Sequence, residues 1–170
     1  MMHKKVEKIP FTVFVSGKFA ARNKDRLTEL SKLEFVEIEN HSLNHYQHME
    51  RLSKGQTEKE VTENEKLIFD ITKSKTKFFR FPGGNYNRAG LDSVESLGYK
   101  VVHWNVASGD PDRRVSAARL VKWVLYNVKP GSIIIFHING RGYKTADALP
   151  VIVDSLRNRG YRFVKLDEEI

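Results

Sequence analysis

Cysteine is absent from the 170 residues. Disulfides, thiolate metal sites and cysteine nucleophiles are thereby excluded. The absence does not fix the compartment, though it suits an oxidising one. Long apolar runs are missing too. No segment reaches the roughly eighteen apolar residues of a membrane-spanning helix. Met1-Met2-His3-Lys4-Lys5 is basic, but no apolar stretch follows it, so no signal peptide is visible. Acidic side chains are in deficit, 21 against 29 Lys and Arg, for a net charge of +8. A basic excess favours acidic partners such as a cell-wall polyanion, a membrane surface or nucleic acid. The cations are scattered, however, through short groups such as Lys73, Lys75 and Lys77 or Arg113 and Arg114. No long basic run interleaved with aromatics occurs, and nucleic-acid binding is not expected. The length predicts a single domain, 1–170, with a sizeable core.

What is present alternates between two periodicities. Apolar and β-branched runs bounded by turn residues predict strands at Phe11–Val15, Phe35–Ile38, Phe78–Arg80, Lys100–Trp104, Ser132–Phe136 and Arg162–Lys165. Helical spacing predicts helices at Asp25–Lys32, Leu91–Leu97, Val115–Asn127 and Thr145–Asn158. A further helix is expected from the capping-box pattern Thr57-Glu58-Lys59-Glu60 to about Thr72. Ser132–Phe136 is the most apolar run, as suits a strand covered on both faces. Strand-helix alternation throughout predicts an α/β fold with a largely parallel sheet, open or closed into a barrel.

The candidate chemistry falls at strand ends. His41 and His45 stand four residues apart, just after the second expected strand. On a helix that spacing puts both rings on one face, about 6 Å apart at Cβ. Two neutral imidazoles leave room for a third ligand and a water on a catalytic metal. Surface or capping histidines would show the same spacing. Arg80, between Phe79 and Phe81, reads as a half-buried cation paired with a carboxylate. Asp110 precedes Pro111 and is either an acidic site residue or the start of a turn. His137 ends an apolar strand, as a core histidine or a catalytic one. Trp104 is a core residue or a substrate platform. His48 and His103 read as structural or exposed.

Together these residues resemble a known family. His41-Ser42-Leu43-Asn44-His45, Arg80-Phe81-Pro82-Gly83-Gly84, Trp104-Asn105-Val106-Ala107-Ser108-Gly109-Asp110 and Ile135-Phe136-His137 follow the order and rough spacing of the polysaccharide deacetylases. This is the NodB-homology domain of carbohydrate esterase family 4. The resemblance runs from about Phe11 to Leu166. It implies an incomplete (β/α) barrel and metal-dependent hydrolysis of N-acetyl groups on a GlcNAc-containing polysaccharide. By that resemblance His41 and His45 would hold a divalent metal, usually zinc. The Gly83 backbone N–H would match the oxyanion donor, and Trp104 would line the substrate groove. His137 would match the general acid that protonates the leaving amine. Asp110 would match the carboxylate that keeps His137 charged, and Arg80 the arginine that pairs with the base. An extracellular, periplasmic or cell-wall location goes with this family.

One departure is large. The family's first motif is a strand ending in Thr-Phe-Asp-Asp, which supplies the base and the third metal ligand. No Asp-Asp occurs in this chain, and Glu7 is the only carboxylate before Phe11. The expectation is a barrel missing its first strand, truncated at the N-terminus, with weak metal binding and impaired turnover. Arg80 would then lack its family partner. A degenerate homologue that binds polysaccharide or other polyanions without catalysis is the alternative. A carboxylate from another chain is a third. The missing strand would also expose a sheet edge through which a homo-oligomer could form. Two milder departures are Pro111, where many relatives have tryptophan, and Gly83, where tyrosine or phenylalanine is usual.

Overall fold

Val13 and Val15 are buried in the first strand while Thr12 and Phe14 are less so, the period of two that a sheet demands. The computed structural model describes residues 8–170, so Glu7 and the basic segment before it lie outside the described residues. The chain divides into two units. One runs to Val102 and takes in Phe163–Ile170, and the other is His103–Arg162.

The first unit carries β1 (Phe11–Val15), α1 (Gly17–Arg22), α2 (Lys24–Ser31), β2 (Val36–Asn40), α3 (Lys54–Thr72), β3 (Phe78–Phe79), α4 (Arg88–Ser96) and β4 (Lys100–Val101). Its strands form a parallel sheet in the order β1-β2-β3-β4. Val15 lies opposite Asn40, Asn40 opposite Phe79, and Phe79 opposite Val101. Val13, Val15, Ala20, Leu27, Val36 and Ile68 form one buried cluster, and Met49, Val61, Phe79, Phe81 and Val94 another. Full burial of a side chain of the larger kind contributes about 1.5–3 kcal/mol.

Four expectations are corrected here. Ser16 and Gly17, the turn residues that end the first apolar run in the sequence reading, open a helix and are not only a turn. Gly17 is needed because a Cβ there would stand 2.9 Å from the Leu43 carbonyl oxygen. Strand β2 runs on to Asn40, past the expected end at Ile38, because the polar Glu39 and Asn40 are themselves buried and bonded. Helix α3 starts a turn earlier than expected. Its capping box joins Ser53 and Gln56, and Thr57 is buried inside the helix. Arg162–Lys165 forms no strand. Instead the Glu37 carboxylate takes the backbone N–H of Leu166 at 3.0 Å and of Asp167 at 3.2 Å.

The second unit carries β5 (Val106–Ala107), α5 (Ala117–Asn127), β6 (Ile134–Ile135) and α6 (Thr145–Asn158). Strands β5 and β6 pair in parallel. Leu120 and Val124 of α5 are buried, as are Ala148, Ile152, Val153 and Leu156 of α6. The helices pack against each other along these rows. The apolar run Ser132–Phe136 yields only a two-residue strand, and its side chains are half-buried, not covered on both faces. The architecture is α/β, as a four-stranded parallel sheet and a separate parallel pair. Among the described residues no helix is long and apolar enough to cross a membrane.

Candidate active site

His41 and His45 follow the end of β2, and their rings meet edge to face with centroids 4.9 Å apart. No helix brings them together, contrary to the helical reading of their spacing. The segment is a loop in which Ser42 (φ 63°) and His45 (φ 57°) take left-handed backbone conformations. Such conformations cost non-glycine residues roughly 1–2 kcal/mol each and persist only where the surroundings hold them. Here the holding groups are visible. The Ser42 amide donates to Asn40 Oδ1 at 3.1 Å, and the His45 amide donates to Ser42 Oγ at 3.1 Å.

Helix α3 braces this loop from behind. Glu60 is buried, and its two carboxylate oxygens accept the Asn44 amide N–H and the Asn44 side-chain amide, each at 2.7 Å. Asn64 donates through Nδ2 to Asn40 Oδ1 at 2.7 Å and to the Val15 carbonyl at 2.9 Å. Asn40 in turn donates to the Val61 carbonyl at 3.0 Å. Sequence reasoning missed Asn40, Glu60 and Asn64. The available signal was their phase: Thr57, Glu60, Val61, Asn64 and Ile68 are the buried positions of α3 and follow helical spacing.

Arg80 follows β3 and is buried, deeper than the half-buried position expected between two phenylalanines. Its Nε donates to the Val102 carbonyl at 3.1 Å, and its guanidinium carbon stands 3.9 Å from the centroid of the Phe14 ring. Burial pushes its proton affinity down to about 10, still cationic at neutral pH. The Arg80 carbonyl oxygen is 2.6 Å from His41 Nδ1. A carbonyl only accepts, so this contact puts the proton on Nδ1 and the lone pair on Nε2, the arrangement of a metal-ligating imidazole. Gly83 is exposed with φ 66°, and a Cβ there would stand 2.6 Å from Gln47 Oε1. Gln47 Nε2 also lies 3.1 Å from His45 Nδ1, and the Gln47 carbonyl accepts from Asn85 at 2.9 Å. Gln47 thus ties the histidine loop to the Pro-Gly-Gly loop, and the left-handed backbone at Gly83 is what disfavours a side chain there.

Glu39 is a buried carboxylate, 2 % exposed, that the sequence reading did not single out. The amides of Lys77 and Phe78 both donate to its Oε2, at 2.8 and 2.7 Å. Burial outweighs those bonds, with help from the charges of Glu37 and Glu65, and raises its proton affinity to about 8.

In the second unit Asp110 is 1 % exposed. Its Oδ1 accepts His137 Nδ1–H at 2.8 Å and Ser108 Oγ at 3.0 Å. Its Oδ2 accepts the His137 amide at 2.7 Å and Thr145 Oγ1 at 2.6 Å. Burial works to raise its proton affinity, but the bonds from His137 and Thr145 and the His137 charge overcome it and hold Asp110 below the ordinary carboxylate range. With Nδ1 committed to Asp110, His137 exchanges protons through Nε2. Gly142 permits the arrangement, because a Cβ there would fall 2.1 Å from the His137 carbonyl oxygen and 2.8 Å from Asp110 Oδ2. Trp104 is half-buried and stacks on His103 with centroids 4.9 Å apart. His48 is exposed beside Glu50, as expected.

The residues singled out in the sequence therefore fall into two sets. His41, His45, Arg80 and Gly83 belong to the first unit, and Trp104, Asp110 and His137 to the second. Among the described residues no group of three or more His, Asp or Glu side chains is arranged to hold a metal ion. The two imidazoles fit two positions of a tetrahedral site.

Residues 5–102 match the polysaccharide deacetylase family. The peptidoglycan-N-acetylglucosamine deacetylase of Bacillus cereus is 30% identical over 159 residues, covering 92% of this chain and 73% of that protein. The chain spans 58% and 62% of the length of two other peptidoglycan deacetylases that it matches. In fold it is similar to a pseudoenzyme of the CE4 family from Bacillus anthracis, with a TM-score of 0.85 and 21% identity over 94% of this chain and 55% of that one. It is equally similar to a family 4 acetyl xylan esterase from Clostridium thermocellum solved with a cobalt ion, at a TM-score of 0.86 and 24% identity over 95% of this chain and 77% of that one. Motif order, α/β architecture and overall identity agree, and the chain belongs to the polysaccharide deacetylase family.

Proposed function

We propose that this chain hydrolyses N-acetyl groups on a GlcNAc-containing polysaccharide of the peptidoglycan kind, with turnover impaired in these 170 residues. The supporting observation is the pairing of His137 with an anionic, four-fold bonded Asp110. That pairing is what a general acid for a leaving amine needs: Nδ1–H fixed, Nε2–H directed outward, and a counter-charge for the imidazolium. His137 would give its Nε2 proton to the departing nitrogen. The Gly83 N–H would donate to the oxyanion as the acetyl carbonyl becomes tetrahedral. Arg80, buried and cationic, would add positive field beside the histidine loop, and Trp104 would form a wall for the sugar. His41 and His45 would hold a divalent ion, zinc or cobalt, which when bound supplies Lewis acidity toward water and the acetyl carbonyl. In this reading the whole chain is one family domain, an incomplete (β/α) barrel, and a homo-oligomer would form through the β1 edge of its sheet.

Acetate release from N-acetylglucosamine oligomers in the presence of cobalt tests the proposal. The expected result is trace release alone and a several-fold gain when formate supplies the missing base. His137→Ala should abolish both. Rapid unaided turnover would mean that a carboxylate of this chain already serves as the base.

A second reading is a non-catalytic binder of polysaccharide or polyanions. The net charge of +8 favours it. It predicts no acetate release with or without formate, affinity that follows the charge of the polymer and not its acetylation, and binding that weakens steeply with salt.

A further inference from the structure

Arg113 and Tyr143 lie in the second unit, outside the roles assigned above. The Arg113 guanidinium carbon stands 4.6 Å from the centroid of the Tyr143 ring. Both side chains are exposed, Tyr143 at 38%. The neighbouring carboxylate, Asp112, is already engaged. It takes Arg114 through Nε at 3.0 Å and Nη2 at 2.9 Å, a two-pronged pair. Arg113 itself forms no ion pair among the described residues. Its charge is therefore carried by an aromatic face and not by an anion.

The placement ties this pair to the dyad. The Tyr143 amide donates to the Asp110 carbonyl at 3.2 Å, and Arg113 follows Asp110 by three residues. Both ends of the cation–aromatic pair are thus anchored to the residue that orients His137. Arg141 and Lys144 stand on the same loop as Tyr143 and are also exposed, with Asp147 the acid of the following helical turn.

We propose that Arg113 and Tyr143 form a subsite for a carboxylate carried by the glycan next to the acetamido sugar. The ring contact holds the guanidinium in place, and its remaining N–H donors suit a planar acceptor, which a carboxylate matches with two parallel bonds. The electron-rich face of the tyrosine suits the C–H face of a pyranose beside it. The ligand class is an acidic glycan, and neutral chitin-type oligomers lack the group this cation recognises. The proposal rests on the deacetylase reading for its choice of sugar, but its test does not require turnover.

Calorimetric binding to the full chain provides that test. The probes are N,N′-diacetylchitobiose and the disaccharide of N-acetylglucosamine with N-acetylmuramic acid, the latter with and without its peptide. Wild type should bind the acidic disaccharide about tenfold more tightly than the neutral one. Arg113→Gln should erase that difference and leave the neutral affinity unchanged. Arg113→Lys should retain part of it, and Tyr143→Ala should weaken both glycans. A gain already present without the peptide assigns the sugar's own carboxylate, and a gain seen only with the peptide assigns the peptide's. Equal affinity for all probes, or an acidic preference that survives Arg113→Gln, would overturn the subsite. Preference without acetate release would retire the catalytic reading and leave the subsite standing.

Discussion

Asp110 in the second unit and Glu39 in the first are carboxylates buried to the same degree, 1 % and 2 % exposed. Their proton affinities move in opposite directions. Asp110 is held below its ordinary value of 3.8, and Glu39 is raised from 4.5 to about 8. Burial alone therefore decides neither. Asp110 receives four donors shared between both oxygens, one of them an imidazole that can carry charge. Glu39 receives two backbone amides on one oxygen and faces Glu37 and Glu65. A buried carboxylate stays ionised where donors and a cation replace the lost water, and takes up a proton where they do not.

Substituting each carboxylate by its amide puts this contrast to the test. Asp110→Asn should do the most damage, because its new NH2 would face donors in a dry site. A loss of about 3 kcal/mol or more is expected in chemical denaturation, with the His137 ring no longer held. In wild type the contribution of Asp110 should be present at neutral pH and fade as the pH falls below 3.8. Glu39→Gln should act in the opposite sense. The folded chain keeps a proton on Glu39 that the unfolded chain loses, so wild-type stability falls as the pH climbs from about 4.5 to about 8. Glutamine still accepts from Lys77 and Phe78. The variant should match wild type near pH 4 and exceed it by up to roughly 5 kcal/mol at pH 9, read from melts across that range. Equal slopes for the two proteins would show that Glu39 titrates normally.

Two smaller changes sharpen the contrast from outside the carboxylates. Gly142→Ala would drive a methyl group into the His137 carbonyl and should cost about 2 kcal/mol. Activity should fall with it, because the same movement disturbs Asp110. Glu60→Gln should cost about 1 kcal/mol. It should weaken cobalt binding at His41 and His45 in a spectroscopic titration without abolishing it, because Asn40, Ser42 and Asn64 still brace the loop. The second unit depends on one saturated carboxylate, whereas the first distributes the same task over several side chains. Its response should be graded where the other is abrupt.

Much of this was legible in the residues. Strand β1 and helix α6 match their expected bounds, because their apolar residues recur with a single clear period. The histidine pair, the Pro-Gly-Gly loop, Asp110 and His137 could be picked out because each stands at the end of an apolar run. Polar residues inside elements were not legible. Glu39 and Asn40 look like the end of a strand until their partners from β3 and α3 are in place. Thr57-Glu58-Lys59-Glu60 fits a helix start as well as Ser53 and Gln56 do, and only packing of the loop on Glu60 decides between them.

The order of residues by itself determined the α/β alternation, the exclusion of thiol chemistry and the family motifs, since these follow from local periodicity and residue type. Tertiary structure alone decided how His41 and His45 meet without a helix, which nitrogen of His41 carries the proton, and which buried carboxylate keeps its charge. Each of those outcomes depends on donors and acceptors delivered from elements far away in the chain. Proton affinity and backbone strain are properties of that assembled surrounding, and no stretch of sequence contains it.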